Sequence, residues 1–236
     1  MTDPKALRPA STVVLLRDTD EGMETLMLKR NKALMFAGGL WVFPGGAIDQ
    51  EDMDAGGGDV NAAARIAAAR EAQEECGLTP DLDNMVQLSQ WTTPTAEPKR
   101  FQTWIFAAPI AHDDTVTIDG GEIHDHQWMR VADVVAAHKA GDMGMMPPTY
   151  VTLCSLLRYQ STADMIAGEQ EITSPEVLPI FAKEGETVLV MFDGDAGYDN
   201  GQSTTPGARH RAVMQDGAWE YIYEGVSDDF PTFIPD

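Results

Sequence analysis

Apolar positions recur in short runs set off by polar or glycine-rich punctuation, the rhythm of strands grouped around one dominant helix. Residues 11–17 (STVVLLR) and 24–30 (ETLMLKR) predict two strands flanking the polar turn DTDEG. LWVFPGG, residues 40–46, predicts a short strand stopped by Pro44 and two glycines. AIDQEDMDAGGGD follows without periodicity and reads as a loop. Asp59 is a good helix N-cap, and behind it VNAAARIAAAREAQEEC, rich in Ala, Glu and Arg, predicts a strong helix with Gly77 just past its end. Strand-like runs come at 85–92 and 101–110. EIHDHQWM at 122–129 offers another strand, and VADVVAAHKAG at 131–141 a short helix ended by glycine.

Beyond the Met-Pro punctuation at 145–148 the character changes. TYVTLCSLLRYQSTADMIAG suggests a helix or helical pair, ETVLVMF a strand, and DGDAGYDNGQSTTPGAR a long loop. RAVMQDGAWEYIYE reads as a hairpin turning at Asp216-Gly217. The division expected is a domain over 1–144 and an extension over 145–236. The hairpin needs a surface to pack on, since a lone hairpin is marginal in water. The extension is therefore expected to lie on the first domain or on a second copy, as a cover for the site and part of a homodimer contact. Arg209, His210 and Arg211 are its basic cluster, read either as facing substrate phosphates or as a salt-bridging surface patch.

Composition narrows the class. With 236 residues, 43% hydrophobic and 23% charged, the chain has ordinary globular composition. Its longest apolar runs are about five residues, too short to span a bilayer, and its start lacks a signal-peptide core, so a cytoplasmic protein is expected. Cys76 and Cys154 cannot make a disulfide framework or a four-thiolate zinc site, and read as small half-buried hydrophobes. Sixteen Lys and Arg against 38 Asp and Glu give a net charge of −22. Such a chain repels nucleic-acid backbones and anionic membranes, so neither is expected as a partner. An acidic surface and carboxylates that hold divalent metal are both compatible with that number.

The chemistry concentrates in REAQEECGL, residues 70–78. Glu71, Glu74 and Glu75 crowd one helix flank at spacings of three and four, where like charges destabilise an isolated helix. Two of them lie in the last turns, where the helix dipole favours cations. Local physics argues against this arrangement unless something positive binds there, and hard divalent cations prefer carboxylate oxygen. REAQEECGL resembles the second half of the Nudix signature, with Arg70, Glu71, Ala72, Glu74, Glu75, Gly77 and Leu78 in its slots. FPGGAID at 43–49 resembles the glycine loop that opens it. The resemblance covers roughly residues 10–140. It departs at one place: Gly46 and Arg70 are separated by twenty-three residues, about ten more than the signature has. The family's additional glutamate falls on Asp52 counted from Gly46, on Glu51 counted from Gly45, and on Ala62 counted back from Arg70. It is left unassigned, and the acidic stretch (Asp49, Glu51, Asp52, Asp54) is expected to be solvated.

The resemblance implies an α/β/α sandwich with a mixed sheet and a C-terminal α/β extension, hydrolysing a nucleoside diphosphate linked to another moiety. It implies Mg²⁺ or Mn²⁺ held by Glu71, Glu74, Glu75 and Gly46, with Arg70 orienting the carboxylates. Glu122, six residues before Trp128, is the candidate distal base; His124 and His126 are expected at the surface. LMLKRNKALMFAGGLWVFPGGAID further resembles coenzyme A diphosphatases, which cut CoA into 3′,5′-ADP and 4′-phosphopantetheine. Arg30, Arg100, Gly45 and Gly46 are then the expected substrate contacts. Asn31 stands where serine is usual, and an arginine before Gly38 is missing. ADP-ribose or another dinucleotide, and a Nudix-like binding module without catalysis, remain as alternatives.

Overall fold

The computed structural model describes residues 6–34, 37–95, 97–230 and 232–233. In chain order the strands are β1 (Leu7–Thr19), β2 (Gly22–Arg30), β3 (Trp41–Val42), β4 (Gly45–Ala47), β5 (Val86–Thr92), β6 (Arg100–Pro109), β7 (Ile123–Arg130), β8 (Glu176–Val177), β9 (Ile180–Glu184), β10 (Thr187–Met191), β11 (Arg209–Gln215) and β12 (Ala218–Glu224). The helices are α1 (Gln50–Ala55), α2 (Val60–Cys76), α3 (Val131–Lys139), α4 (Pro147–Leu156) and α5 (Thr162–Gln170). β1 to β8 form one mixed sheet, ordered β3-β2-β1-β6-β5-β8, with β4 added on β1 and β7 on β2. β1–β6 and β5–β8 run parallel and the remaining pairs antiparallel. β9 to β12 form a second, antiparallel sheet. Among the described residues no helix is long and apolar enough to cross a membrane.

Strand β1 shows why the sheet must be covered on both sides. Successive side chains point to opposite faces, and Val13, Val14, Leu15 and Leu16 are all fully buried. Val13 and Leu15 join Leu26, Leu28, Trp104 and Phe106 under the alanines of α2, namely Ala63, Ala64, Ala67, Ala68 and Ala72. Val14 and Leu16 join Met27, Ile105 and Ala107 beneath α3, α4 and the second sheet, which contribute Val134, Leu153, Val190, Phe192, Ala212 and Trp219. The extension therefore shares a continuous core with the sheet face opposite α2. The expectation that it covers the glutamates is corrected: their helix lies on the other face.

Local signals act as the sequence suggests in several places. Asp59 accepts from the Ala62 N–H at the start of α2, and Gly77 ends it with φ +75°. The β11–β12 turn places Asp216 and Gly217 at φ +49° and +87°, the left-handed pair that matches hairpin twist. Four expectations change. The run 40–46 splits at Phe43-Pro44 into β3 and β4, which pair with different strands. The acidic stretch after β4 is not a loop: residues 50–55 form α1, with Asp49 and Asp52 making a reciprocal capping box. The cysteines are fully rather than half buried. Arg209, His210 and Arg211 neither face phosphates nor form a surface patch. Arg211 is buried and holds buried Asp195 at 2.6 Å, His210 is buried among aromatic rings, and Arg209 donates to loop carbonyls.

Candidate active site

Three pieces of chain meet at the C-terminal half of α2. The first is β4. Its Gly45 N–H donates to Glu75 Oε2 at 3.0 Å, and a Cβ on Gly46 would stand 2.4 Å from Glu71 Oε1. A Cβ on Gly45 would lie 2.5 Å from the Ser11 carbonyl, so that glycine is required by close approach to backbone, whereas a Cβ on Gly46 would displace the Glu71 carboxylate. The carboxylates of Glu71 and Glu75 are thus pressed against the glycine loop, while Glu74 is mostly exposed.

The second piece is α1, tied in by Arg70. Its guanidinium holds Asp52 at 2.9 Å and Glu71 at 2.8 Å, reaches Glu74 at 3.4 Å, and donates to the Ala47 carbonyl at 3.0 Å. Asp52, expected to be solvated, is 3% exposed. Burial alone would raise its carboxyl, but hydrogen bonds from Arg70 and the Asp49 N–H hold it below the ordinary value. Of the positions left open for the additional acidic residue, Asp52 is the one that is buried and bonded to Arg70. Arg70 is held protonated chiefly by Asp52 and Glu71.

The third piece is the segment from 111 to 122. The Thr117 N–H donates to the Cys76 carbonyl at 2.8 Å and the Asp119 N–H to that of Glu75 at 3.2 Å, taking up acceptors that a helix end leaves open. Glu122 follows, its carbonyl accepting from the Asn31 N–H at 2.7 Å and its carboxylate from Arg30 Nη2 at 3.1 Å. The β2–β7 pairing shifts register between Lys29 and Arg30, a bulge of the kind that re-aims a side chain. Arg30 Nε is buried without a partner. Arg100 behaves differently. It starts β6 and donates to the Thr93 carbonyl at 3.1 Å, and no contact joins it to the glutamates. This bond leaves the expectation that Arg100 contacts substrate as a proposal. His124 and His126 lie exposed on β7.

The electrostatics follow from crowding. Glu75 is pushed up to about 8, first by burial and then by Glu71 and Glu122, against the Gly45 N–H and Arg30. Burial also raises Glu71; Arg70 opposes this, and Glu74 and Asp49 add to it. Among the described residues, no three acidic, His or Cys side chains already converge on one point. The donor chemistry nevertheless fits a hard divalent cation. It is all carboxylate oxygen, and the mutual repulsion of Glu71 and Glu75 is what a cation relieves.

A family model for the NUDIX domain matches residues 6–148, and the chain belongs to the Nudix family. It is similar to the Caenorhabditis elegans protein "Putative nudix hydrolase 7", 25% identical over 184 residues. That alignment takes 63% of this chain and 60% of the relative, so the chain spans less than two thirds of that relative's length. Among solved structures it resembles a NUDIX hydrolase from Alicyclobacillus acidocaldarius, with TM-score 0.64 and 21% identity over 69% of this chain and 96% of that one. The NUDIX domain of Shewanella oneidensis NrtR, solved with ADP-ribose, gives TM-score 0.49 and 19% identity over 71% and 90%. The first of these likenesses supports the mixed α/β fold described above.

Proposed function

We propose that the chain is a divalent-metal-dependent hydrolase of the diphosphate linkage in a nucleoside diphosphate derivative. The observation that carries this is the intact carboxylate group at the end of α2, with Glu71 pressed on Gly46 and Glu75 on the Gly45 N–H. Glu71, Glu74 and Glu75 would hold Mg²⁺ or Mn²⁺, which neutralises diphosphate oxygens and acidifies water. Arg70 is a positioning residue, fixing Glu71 against α1. Arg30 and Glu122 are coupled: a substrate phosphate that engages the Arg30 guanidinium competes with Glu122 for it. The freed carboxylate then takes the proton of the attacking water.

The segment from Leu26 through Asp49 supports CoA or an acyl-CoA as the substrate, giving 3′,5′-ADP and 4′-phosphopantetheine. The test is a panel of CoA, acetyl-CoA, ADP-ribose and diadenosine polyphosphates, read by product chromatography with Mg²⁺, Mn²⁺ or excess chelator. Metal-dependent cleavage is expected, with CoA turned over fastest. Glu122→Gln should lower kcat by roughly 10²- to 10⁴-fold with little change in KM. Preference for ADP-ribose would move the substrate and keep the reaction. Cleavage in excess chelator would reject the metal role, and no cleavage of any member would reject the reaction.

A further inference from the structure

Glu122 has no rigid element of its own: it lies just before β7, its side chain 57% exposed. Something else must fix its backbone, and the structure shows what does. Gly120 takes φ +71°, a conformation glycine adopts without steric penalty, and the chain turns back on Asp119. The Asp119 carboxylate then accepts three consecutive backbone N–H groups. Gly121 and Glu122 donate to Oδ2 at 3.1 and 2.8 Å, and Ile123 donates to Oδ1 at 2.9 Å. These bonds outweigh the effect of burial and hold the carboxyl below the usual carboxylate range. At its other end Asp119 donates its own N–H to the Glu75 carbonyl, two residues after Thr117 engages Cys76.

We infer that Asp119 is the positioning residue of the site, clasping the backbone of Glu122 to the last turn of the glutamate helix. The inference rests on the reading of Glu122 as the group that receives the proton. The Asp119 side chain and backbone N–H, with the Asn31 N–H on the Glu122 carbonyl, thereby hold the separation between the proton acceptor and the carboxylates of α2. That separation has to be held closely, because a displacement of about 1 Å at a reacting centre can cost on the order of 10²-fold in rate. Asp119 touches neither water nor substrate in this role. Its effect runs wholly through the place of Glu122, and that makes it separable from a general contribution to folding.

The experiment uses the full chain with Mg²⁺ and the substrate that the panel identifies. Asp119→Ala removes the acceptor of all three N–H groups and should lower kcat on the order of 10²-fold with KM little changed. In a Glu122→Gln background the same substitution should remove little more, because the group it positions is already disabled. Hydrogen exchange read by mass spectrometry should rise in the peptide spanning 117–123 and stay unchanged in the body of α2. Should Asp119→Ala fail to fold, Asp119→Asn decides the matter: it keeps one carbonyl acceptor and should give a smaller loss with the same non-additivity. An unchanged kcat, an equal loss in both backgrounds, or unaltered exchange at 117–123 would overturn the assignment. Failure of the underlying reading shows elsewhere: either the unmutated chain cleaves nothing in the panel, or Glu122→Gln alone leaves kcat intact, and the assignment falls with it.

Discussion

Glu75→Gln removes a charge from the tightest part of the site while keeping the side chain's shape and its acceptor for the Gly45 N–H. In the metal-free protein, burial and repulsion push the Glu75 carboxyl from 4.5 up to about 8. The folded chain therefore keeps a proton that the unfolded chain releases, and stability falls as pH rises between those two values. The stabilising contribution is complete below pH 4.5 and is lost as pH climbs through about 8. At ~1.4 kcal/mol per pH unit, the loss reaches ~3 kcal/mol by pH 7 and ~4 kcal/mol by pH 8. Glutamine has no proton to lose. For a chain of this size each kcal/mol moves Tm by ~2–4 °C, so Glu75→Gln should melt roughly 6–12 °C above the wild type at pH 7 and nearly level with it at pH 4.5. The assay is a series of thermal melts from pH 4.5 to 8.5 in chelator, followed by the same series with Mg²⁺. Added Mg²⁺ should raise the wild type and leave the variant largely unmoved, since a ligand stabilises only the state that binds it. Parallel Tm–pH curves for the two proteins would refute the reasoning, showing that the Glu75 charge is tolerated in the fold without a cation.

Three further outcomes are expected. Gly46→Ala drives a Cβ to within 2.4 Å of Glu71 Oε1, so kcat/KM should fall on the order of 10²-fold while circular dichroism is unchanged; a normal rate would show that the loop yields freely. Asp52→Ala strips Arg70 of its bidentate partner and should cost about 1.5–3 kcal/mol in urea unfolding; a cost near zero would mean that α1 contributes nothing to holding Arg70. Asp195→Ala leaves the Arg211 guanidinium buried and unpaired and should cost about 3–5 kcal/mol, whereas the Asp195→Leu/Arg211→Met double variant should recover only the part due to the guanidinium, because the Gly197 and His210 N–H groups lose the same acceptor. Equal costs for the single and double variants would reject the ion pair as the reason.

How much of this was legible in the sequence depended on the range of the interactions involved. Asp59, Gly77 and the Asp216-Gly217 turn act on neighbours within four residues, so the sequence reveals them directly. The glutamate spacing of α2 and the two glycines before it are equally local and led to the family. Asp52 was hidden because its partner Arg70 lies eighteen residues away, and a six-residue helix shows no period of its own. Only counting from Gly46 hinted at it. Asp119 was not anticipated at all, although Asp-Gly-Gly just before a strand was a usable signal for a turn whose side chain caps its own backbone. β8 and β9 were missed because the first has two residues and the second carries an exposed face. The Arg209–Arg211 cluster misled for a different reason: composition made bases scarce, and scarcity suggested substrate, while Arg211 is spent on buried Asp195.

The alanine face of α2 has a consequence for how this protein can change. Ala63, Ala64, Ala67, Ala68 and Ala72 have no exposed surface, and side chains this small let the helix ride close on the sheet. The depth at which the carboxylates meet the glycine loop is thus set from beneath by methyl groups. A valine or leucine at any of these positions would act as a wedge, lifting the helix and opening the Glu75–Gly45 contact before it unfolded anything. Selection for a fuller, more heat-resistant core and selection for turnover would pull these five positions in opposite directions. Stabilising substitutions in this chain belong on the far side of the sheet, under α4 and the second sheet, where added volume does not bear on α2.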